Sequence, residues 1–210
     1  MSSGLTQQEK NQVLDLHNKL RSRVATGSEQ RGVPGPQPEA GDMLELTWDD
    51  ELARVAQRWA EQCQFGHDQS RDVQRFKVGQ NVYQTTRSRD QPTSNTIREG
   101  VMSWYDEVKL FANGGVRRYQ FSSGTGHYTQ MVWAKTSKLG CGHVSYEMGG
   151  FVKKYLVCNY GETGNFQGSP MYQIGKACSS CPSGTSCSGQ NPGLCCKSNI
   201  TFIQYVFDNS

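Results

Sequence analysis

The chain has no long apolar run. Nothing in its 210 residues approaches the ~18 consecutive apolar side chains of a membrane-spanning helix, so no such span is expected. The opening decapeptide MSSGLTQQEK has no hydrophobic core of the secretory-leader kind, so the chain reads either as a mature protein or as one that is not exported. Charge of one sign is never concentrated. The 22 basic and 19 acidic residues leave a formal net charge of +3 without blocks, which argues against nucleic acid as a partner. Histidine is scarce, with four residues, and neither G-x-S-x-G nor H-E-x-x-H is present to recruit one for hydrolysis. No internal repeat is visible.

What the chain does have is cysteine: Cys63, Cys141, Cys158, Cys178, Cys181, Cys187, Cys195 and Cys196. The last five fall within CSSCPSGTSCSGQNPGLCC, a Gly/Ser/Pro-rich segment with too few apolar side chains to fold by burial, which therefore needs covalent staples. Cys178 and Cys181 form a C-x-x-C, but a structural zinc site wants a second such pair and none follows. Disulfides, and with them an extracellular location, are the expectation. Met1 with its Ser-Ser-Gly lead then reads as an expression start.

Hydrophobic spacing gives the element order. Thr6 and Glu9 form a capping box ahead of Val13, Leu16, Leu20 and Val24 at helical intervals, ending near Gly27. A Pro/Gly loop covers 28–42. Thr47 is expected to cap a second helix with Asp49, Asp50 and Glu51 in its first turn, and with a stripe of Leu52, Val55, Ala56, Trp59 and Cys63. A third helix is expected over 94–111, with Ile97, Val101, Trp104 and Val108 on one face and Glu107 on its flank. Strands are expected at 78–84, at 128–135 from alternation, and at 141–146 pairing with 151–160 through Met148-Gly149-Gly150. Helices first and hairpins later predict an α+β layered domain over 5–167, a stapled appendage at 168–196 and a tail at 197–210 carrying the sequon Asn199-Ile200-Thr201. Cys141 and Cys158 bracket the hairpin, close enough across it to be bridged.

Four stretches together resemble the CAP superfamily of cysteine-rich secretory proteins, antigen 5 venom allergens and plant pathogenesis-related proteins: HNKLRS at 17–22, GQNVY at 79–83, GHYTQMVW at 126–133 and YLVCNYGETGNF at 155–166. Finer features such as GLTQQEK and WAEQCQFGHD are similar to the arthropod antigen 5 branch, and the stapled segment resembles the hinge of cysteine-rich secretory proteins. The resemblance implies a CAP-type α-β-α sandwich with a central antiparallel sheet. It also implies hinge bridges Cys178–Cys187 and Cys181 with Cys195 or Cys196. Cys63 is left with the remaining hinge cysteine or with none.

The same resemblance implies a central cleft holding His127, His67 and Glu107. Gln80 stands there where many relatives have glutamate, and an amide can neither act as a base nor neutralise a cation. The expected role is a secreted, non-enzymatic effector or allergen with a host protein target. No cofactor is required. Zn²⁺ or another divalent cation would sit on His67 and His127 with Glu107 as third ligand. A fatty acid, eicosanoid or sterol would occupy an apolar groove lined by Phe111, Tyr119 and Phe121. A hydrolase using the His/Glu cleft and an ion-channel ligand are the alternatives. His17 reads as a packed structural histidine and His143 as an exposed one.

Overall fold

The computed structural model describes residues 1–89 and 95–197. The sequon at Asn199 and all of the expected tail except Lys197 lie outside that range. The elements, in chain order, are β1 (Ser2–Ser3), α1 (Gln7–Ala25), β2 (Thr47–Trp48), α2 (Asp50–Ala60), β3 (Gly79–Ser88), α3 (Thr96–Asp106), α4 (Gly126–Met131), β4 (Lys138–Met148), β5 (Phe151–Gly161), β6 (Thr185–Cys187) and β7 (Cys195–Lys197). Short 3₁₀ turns follow α3 at Glu107–Leu110 and Asn113–Val116.

The main sheet runs β1-β4-β5-β3, with β2 joined in parallel to β4. Its centre is the β4–β5 hairpin, which turns at Gly149 and Gly150, both with positive φ, as a two-residue hairpin loop requires. Each face of the sheet is covered. Gly140 and Gly142 let α2 lie close on one face, because a Cβ at either position would run into the backbone of Ala53 or Gln57. There Ala56 and Ala60 of α2 meet Val82, Val144, Tyr155 and Val157 of the strands. On the other face α1, α3 and α4 bury Val13, Val101, Trp104 and Tyr128 against Leu156, Cys158 and Tyr160. This is an α-β-α sandwich.

Local chemistry explains where the helices begin. Thr6 and Glu9 make the expected capping box of α1. The cap of α2 is Asp49, whose side chain accepts from the Leu52 amide, and not Thr47, which lies in β2. A carboxylate two residues later simply outcompetes the hydroxyl for the same end of the helix. The third helix is shorter than 94–111, since it tightens into the 3₁₀ turn at Glu107.

The expected strand at 128–135 is the one clear misassignment, because this stretch is α4 and a turn. Tyr128, Thr129, Gln130 and Met131 are all buried, so the alternation of polar and apolar side chains does not mark two faces. Both ends of this short helix are satisfied from elsewhere. Glu107 accepts from the His127 and Tyr128 amides at its start. Past its end, the wholly buried Arg21 guanidinium donates to the carbonyls of Met131, Trp133, Ala134 and Thr136, and also to Leu44. Such tertiary partners override a weak local preference.

Three disulfides are present: Cys141–Cys158 across the hairpin, Cys178–Cys187 and Cys181–Cys195. Cys195 opposes Cys187 in the β6–β7 ribbon, so its neighbour Cys196 points to the other face and is unpaired, as is Cys63. The stapled segment is fastened to the body more tightly than an appendage would be. Cys195 exchanges backbone hydrogen bonds with Met43 and Glu45, and Met171, Tyr172 and Leu194 are buried in the main core.

Candidate functional site

Strand β3 is an edge of the sheet, and its residues alternate between the two faces. Gln80 faces the α2 side, opposite Asn159, and Asn81 faces the side of α1, α3 and α4, opposite Cys158. His67 approaches the edge from the first side and His127 from the second. The two are near enough that His127 opposes charge on His67, which is held below the usual imidazole range mainly by burial, with Arg71 and His127 adding to it.

The two imidazoles are held in the same way. The His67 Nδ1 lies 3.1 Å from Gln80 Oε1, which also accepts from the Asp68 amide, while Gln80 Nε2 donates to Asn159 Oδ1 at 2.9 Å. The His127 Nδ1 lies 2.7 Å from Glu107 Oε1, and the ring stacks on Trp104 with centroids 6.2 Å apart. A carboxylate, and likewise the oxygen of an amide, can only accept, so in the neutral rings the proton sits on Nδ1 and the lone pair on Nε2. Neither Nε2 has a hydrogen-bond partner among the described residues.

Glu107 differs from its expected role as a third ligand. Its Oε2 accepts from the His127 and Tyr128 amides at 2.9 and 3.0 Å while Oε1 holds the imidazole, so both oxygens are engaged in capping α4 and orienting His127. Among the described residues, the three-residue cluster of His, Cys, Asp or Glu ligand atoms is Cys178, Cys181 and Cys195. Those sulfurs are bound in disulfides and offer no thiolate.

The expected lipid groove is not assembled from its three aromatics. Phe111 is buried against the Tyr128 ring, and Tyr119 is wholly buried edge-on to Trp133, so both are core residues. Phe121 alone is exposed, at 67%. It lies over Gly126, at the start of α4, and the equally exposed Leu110 lies by Gly124. A shallow concavity of about 360 Å³ opens at Leu110, and of the three aromatics Phe111 alone lines it, with Gly115, Arg118 and Thr125.

Among the other histidines, His17 is packed at 0% exposure, and His143 is half-buried, not exposed. Reading the sequence missed the residues that support the cleft. Asn159 fixes Gln80, and Asn81 donates both to the His127 carbonyl and to the Tyr160 hydroxyl. Arg21 holds the segment that follows α4. The signal was available in part, since His17, Asn18 and Arg21 make a polar stripe on the inner side of an otherwise ordinary amphipathic helix.

With this geometry in place, comparison with known proteins is informative. Residues 14–160 match the model of the cysteine-rich secretory protein family, CAP. The chain is 49% identical over 178 residues to venom allergen 3 of Solenopsis invicta, covering 82% of this chain and 75% of that one. It is 47% identical over 174 residues to venom allergen 5 of Vespa velutina, covering 82% and 83%. Among solved structures, NaASP2 with Zn²⁺ superposes with a TM-score of 0.75 at 32% identity, over 91% of this chain and 97% of that one. BmVAL-1 gives 0.76 at 29% identity, over 92% and 96%. The chain belongs to the cysteine-rich secretory protein (CAP) family and is similar to its venom allergen 3 and 5 members.

Proposed function

We propose that the chain is a secreted, non-enzymatic binding protein that takes a divalent cation, Zn²⁺ in the first instance, at His67 and His127. The observation that carries this reading is the matched pair of imidazoles, each fixed through Nδ1 with its Nε2 lone pair left over. Neutral imidazole held by a second partner is the donor that Zn²⁺ favours. The donor set fits the ion with two protein ligands, and Glu107 supports His127 from behind. Two ligands make a weak site, so binding in the micromolar range or weaker is expected. That a solved relative was crystallised with Zn²⁺ agrees with this reading. When bound, the ion would supply a Lewis-acidic positive charge at the mouth of the cleft.

Glu107 and His127 resemble the orienter and base of a hydrolytic triad, but among the described residues no serine, threonine or cysteine side chain bonds to either imidazole. A nucleophile activated by a base needs that contact. The non-enzymatic reading is therefore preferred. Export is supported by three disulfides. A small hydrophobic ligand, if one is carried, would lie at the rim formed by Leu110 and Phe121, and action on a host protein would follow from holding it without turnover.

Calorimetric titration of Zn²⁺ into the wild type, His67→Ala and His127→Ala tests the proposal. Saturable binding in the wild type that is weakened in both variants is the expected result. Equal affinity in the wild type and His127→Ala would show that the histidine serves packing alone.

A further inference from the structure

At the opposite end of α3 from Glu107, about 16 Å away for an 11-residue helix, a second cavity of about 360 Å³ opens between the two helices and the sheet. Its walls are Glu9 and Gln12 of α1, Asn95, Thr96 and Ile97 at the start of α3, His143 of β4 and Lys154 of β5. It has no part in the histidine cleft.

Two observations there are independent of each other. The first is the end of α3. Asn95 Oδ1 is engaged by the Arg98 amide, and the Thr96 and Ile97 amides, which have no acceptor inside the helix, have none among the described residues, so they stand as donors at a positive dipole end. The second is a pair of unpartnered polar groups. Thr96 is 5% exposed, and its Oγ1 has no hydrogen-bond partner among the described residues; His143 Nε2 is likewise buried without one among them. Leaving such groups unmatched is costly, so a ligand that satisfies them is favoured. Lys154, which has a partner of its own, brings a positive charge to the wall: His143 is lowered mainly by burial, with Glu9 opposing and Lys154 adding to the shift. Glu9 counts against an anion, but its Oε2 is already held by the amide and hydroxyl of Thr6.

We propose that this cavity is a binding site for a small phosphate-type oxyanion. The Thr96 and Ile97 amides and the Thr96 hydroxyl would donate to its oxygens, and Lys154 would balance its charge. Helix starts bind phosphate by this combination of free amides and dipole. The oxyanion can be free phosphate or the headgroup of an anionic lipid.

Nuclear magnetic resonance titration with inorganic phosphate is the test, read at the Thr96 and Ile97 amides. Saturable shifts are expected in the wild type. Lys154→Met should weaken binding by about fivefold, the effect of one partly exposed charge. Glu9→Gln should tighten it a few-fold, because glutamine keeps the capping box while removing the negative charge. Thr96→Val should abolish binding without lowering the melting temperature, since the hydroxyl has no partner to lose among the described residues. Should that variant fail to fold, the opposed effects of Lys154→Met and Glu9→Gln still decide. Co-sedimentation with phosphatidic acid vesicles separates the two sources. Vesicle binding that Lys154→Met reduces and Glu9→Gln strengthens assigns the site to a headgroup, and binding of free phosphate alone assigns it to a soluble anion. Absence of saturable shifts, or shifts identical in the wild type and Lys154→Met, overturns the proposal.

Discussion

Lowering the pH below neutrality puts a specific load on His17, the wholly buried histidine of α1. Its Nδ1 lies 2.8 Å from the Val13 carbonyl and its Nε2 lies 2.9 Å from the Tyr160 hydroxyl, which in turn accepts from Asn81 Nδ2 at 3.1 Å. A carbonyl only accepts, so Nδ1 carries the proton and Nε2 takes the Tyr160 proton. A second proton on the ring would meet a hydroxyl already donating to it. Burial, reinforced by Arg21, lowers the His17 pKa from 6.5 to about 4, against the hydrogen bond to Val13. The folded value thus lies below the unfolded one. Its contribution to stability is fully present above about pH 6.5 and is lost as the pH falls toward 4, because the unfolded chain takes up the proton first. At about 1.36 kcal/mol per pH unit the loss is roughly 1 kcal/mol at about pH 5.5 and roughly 3 kcal/mol by about pH 4. That is a large share of the ~5–15 kcal/mol stability of a typical domain. Urea unfolding of the wild type and His17→Gln between about pH 7 and pH 5 reads it, since most carboxylates stay ionised there. His67 and His143, also depressed by burial, contribute to both proteins and cancel in the difference. The wild type should lose stability with a steeper slope, by close to one proton. Parallel slopes would refute the assignment of His17 as the buried neutral group.

Three further outcomes are expected. Gln80→Glu should tighten Zn²⁺ several-fold in the same calorimetric titration, since a carboxylate behind His67 would match the one behind His127; unchanged affinity would remove His67 from the site. Arg21→Met should destabilise by about 3 kcal/mol or more in urea unfolding, because it strands the buried carbonyls that follow α4. Replacing Cys141 and Cys158 together by alanine should cost about 2–4 kcal/mol by the same assay, as for a bridge closing a loop of 17 residues.

The sequence reading succeeds where a signal is carried by neighbours along the chain. The α1 capping box, the Leu52, Val55 and Ala56 part of the α2 stripe and the Met148-Gly149-Gly150 turn each need a few adjacent residues, and the layered fold follows from them, whereas Cys63, also expected on that stripe, lies past the end of α2. The reading of 128–135 fails because its deciding contacts come from far away in sequence, from Glu107 and Arg21. The groove assignment fails for a related reason. Phe111 and Tyr119 sit in a Gly- and Arg-rich segment that resembles a surface loop, yet their rings fill the space around Tyr128 and Trp133. Truncation at residue 168 is equally a poor probe of ligand binding, because it would remove Met171, Tyr172 and Leu194 from the core.

The cleft itself shows why the family resemblance could bring the two histidines together while the part played by Glu107 needed the structure. His67 and His127 are 60 residues apart in the chain and belong to opposite layers, and they meet because β3 is an edge that both layers overlap. Each layer brings its own support: Gln80, fixed by Asn159, for one, and Glu107, fixed by the start of α4, for the other. The glutamate is therefore committed twice, once to the helix and once to the imidazole. Whatever binds between the two rings meets one nitrogen backed by a carboxylate and one backed by an amide. A carboxylate strengthens the opposite nitrogen as a donor more than an amide does. The ion should thus be held first by His127, with His67 as the weaker second ligand, and His67→Ala should cost less affinity than His127→Ala.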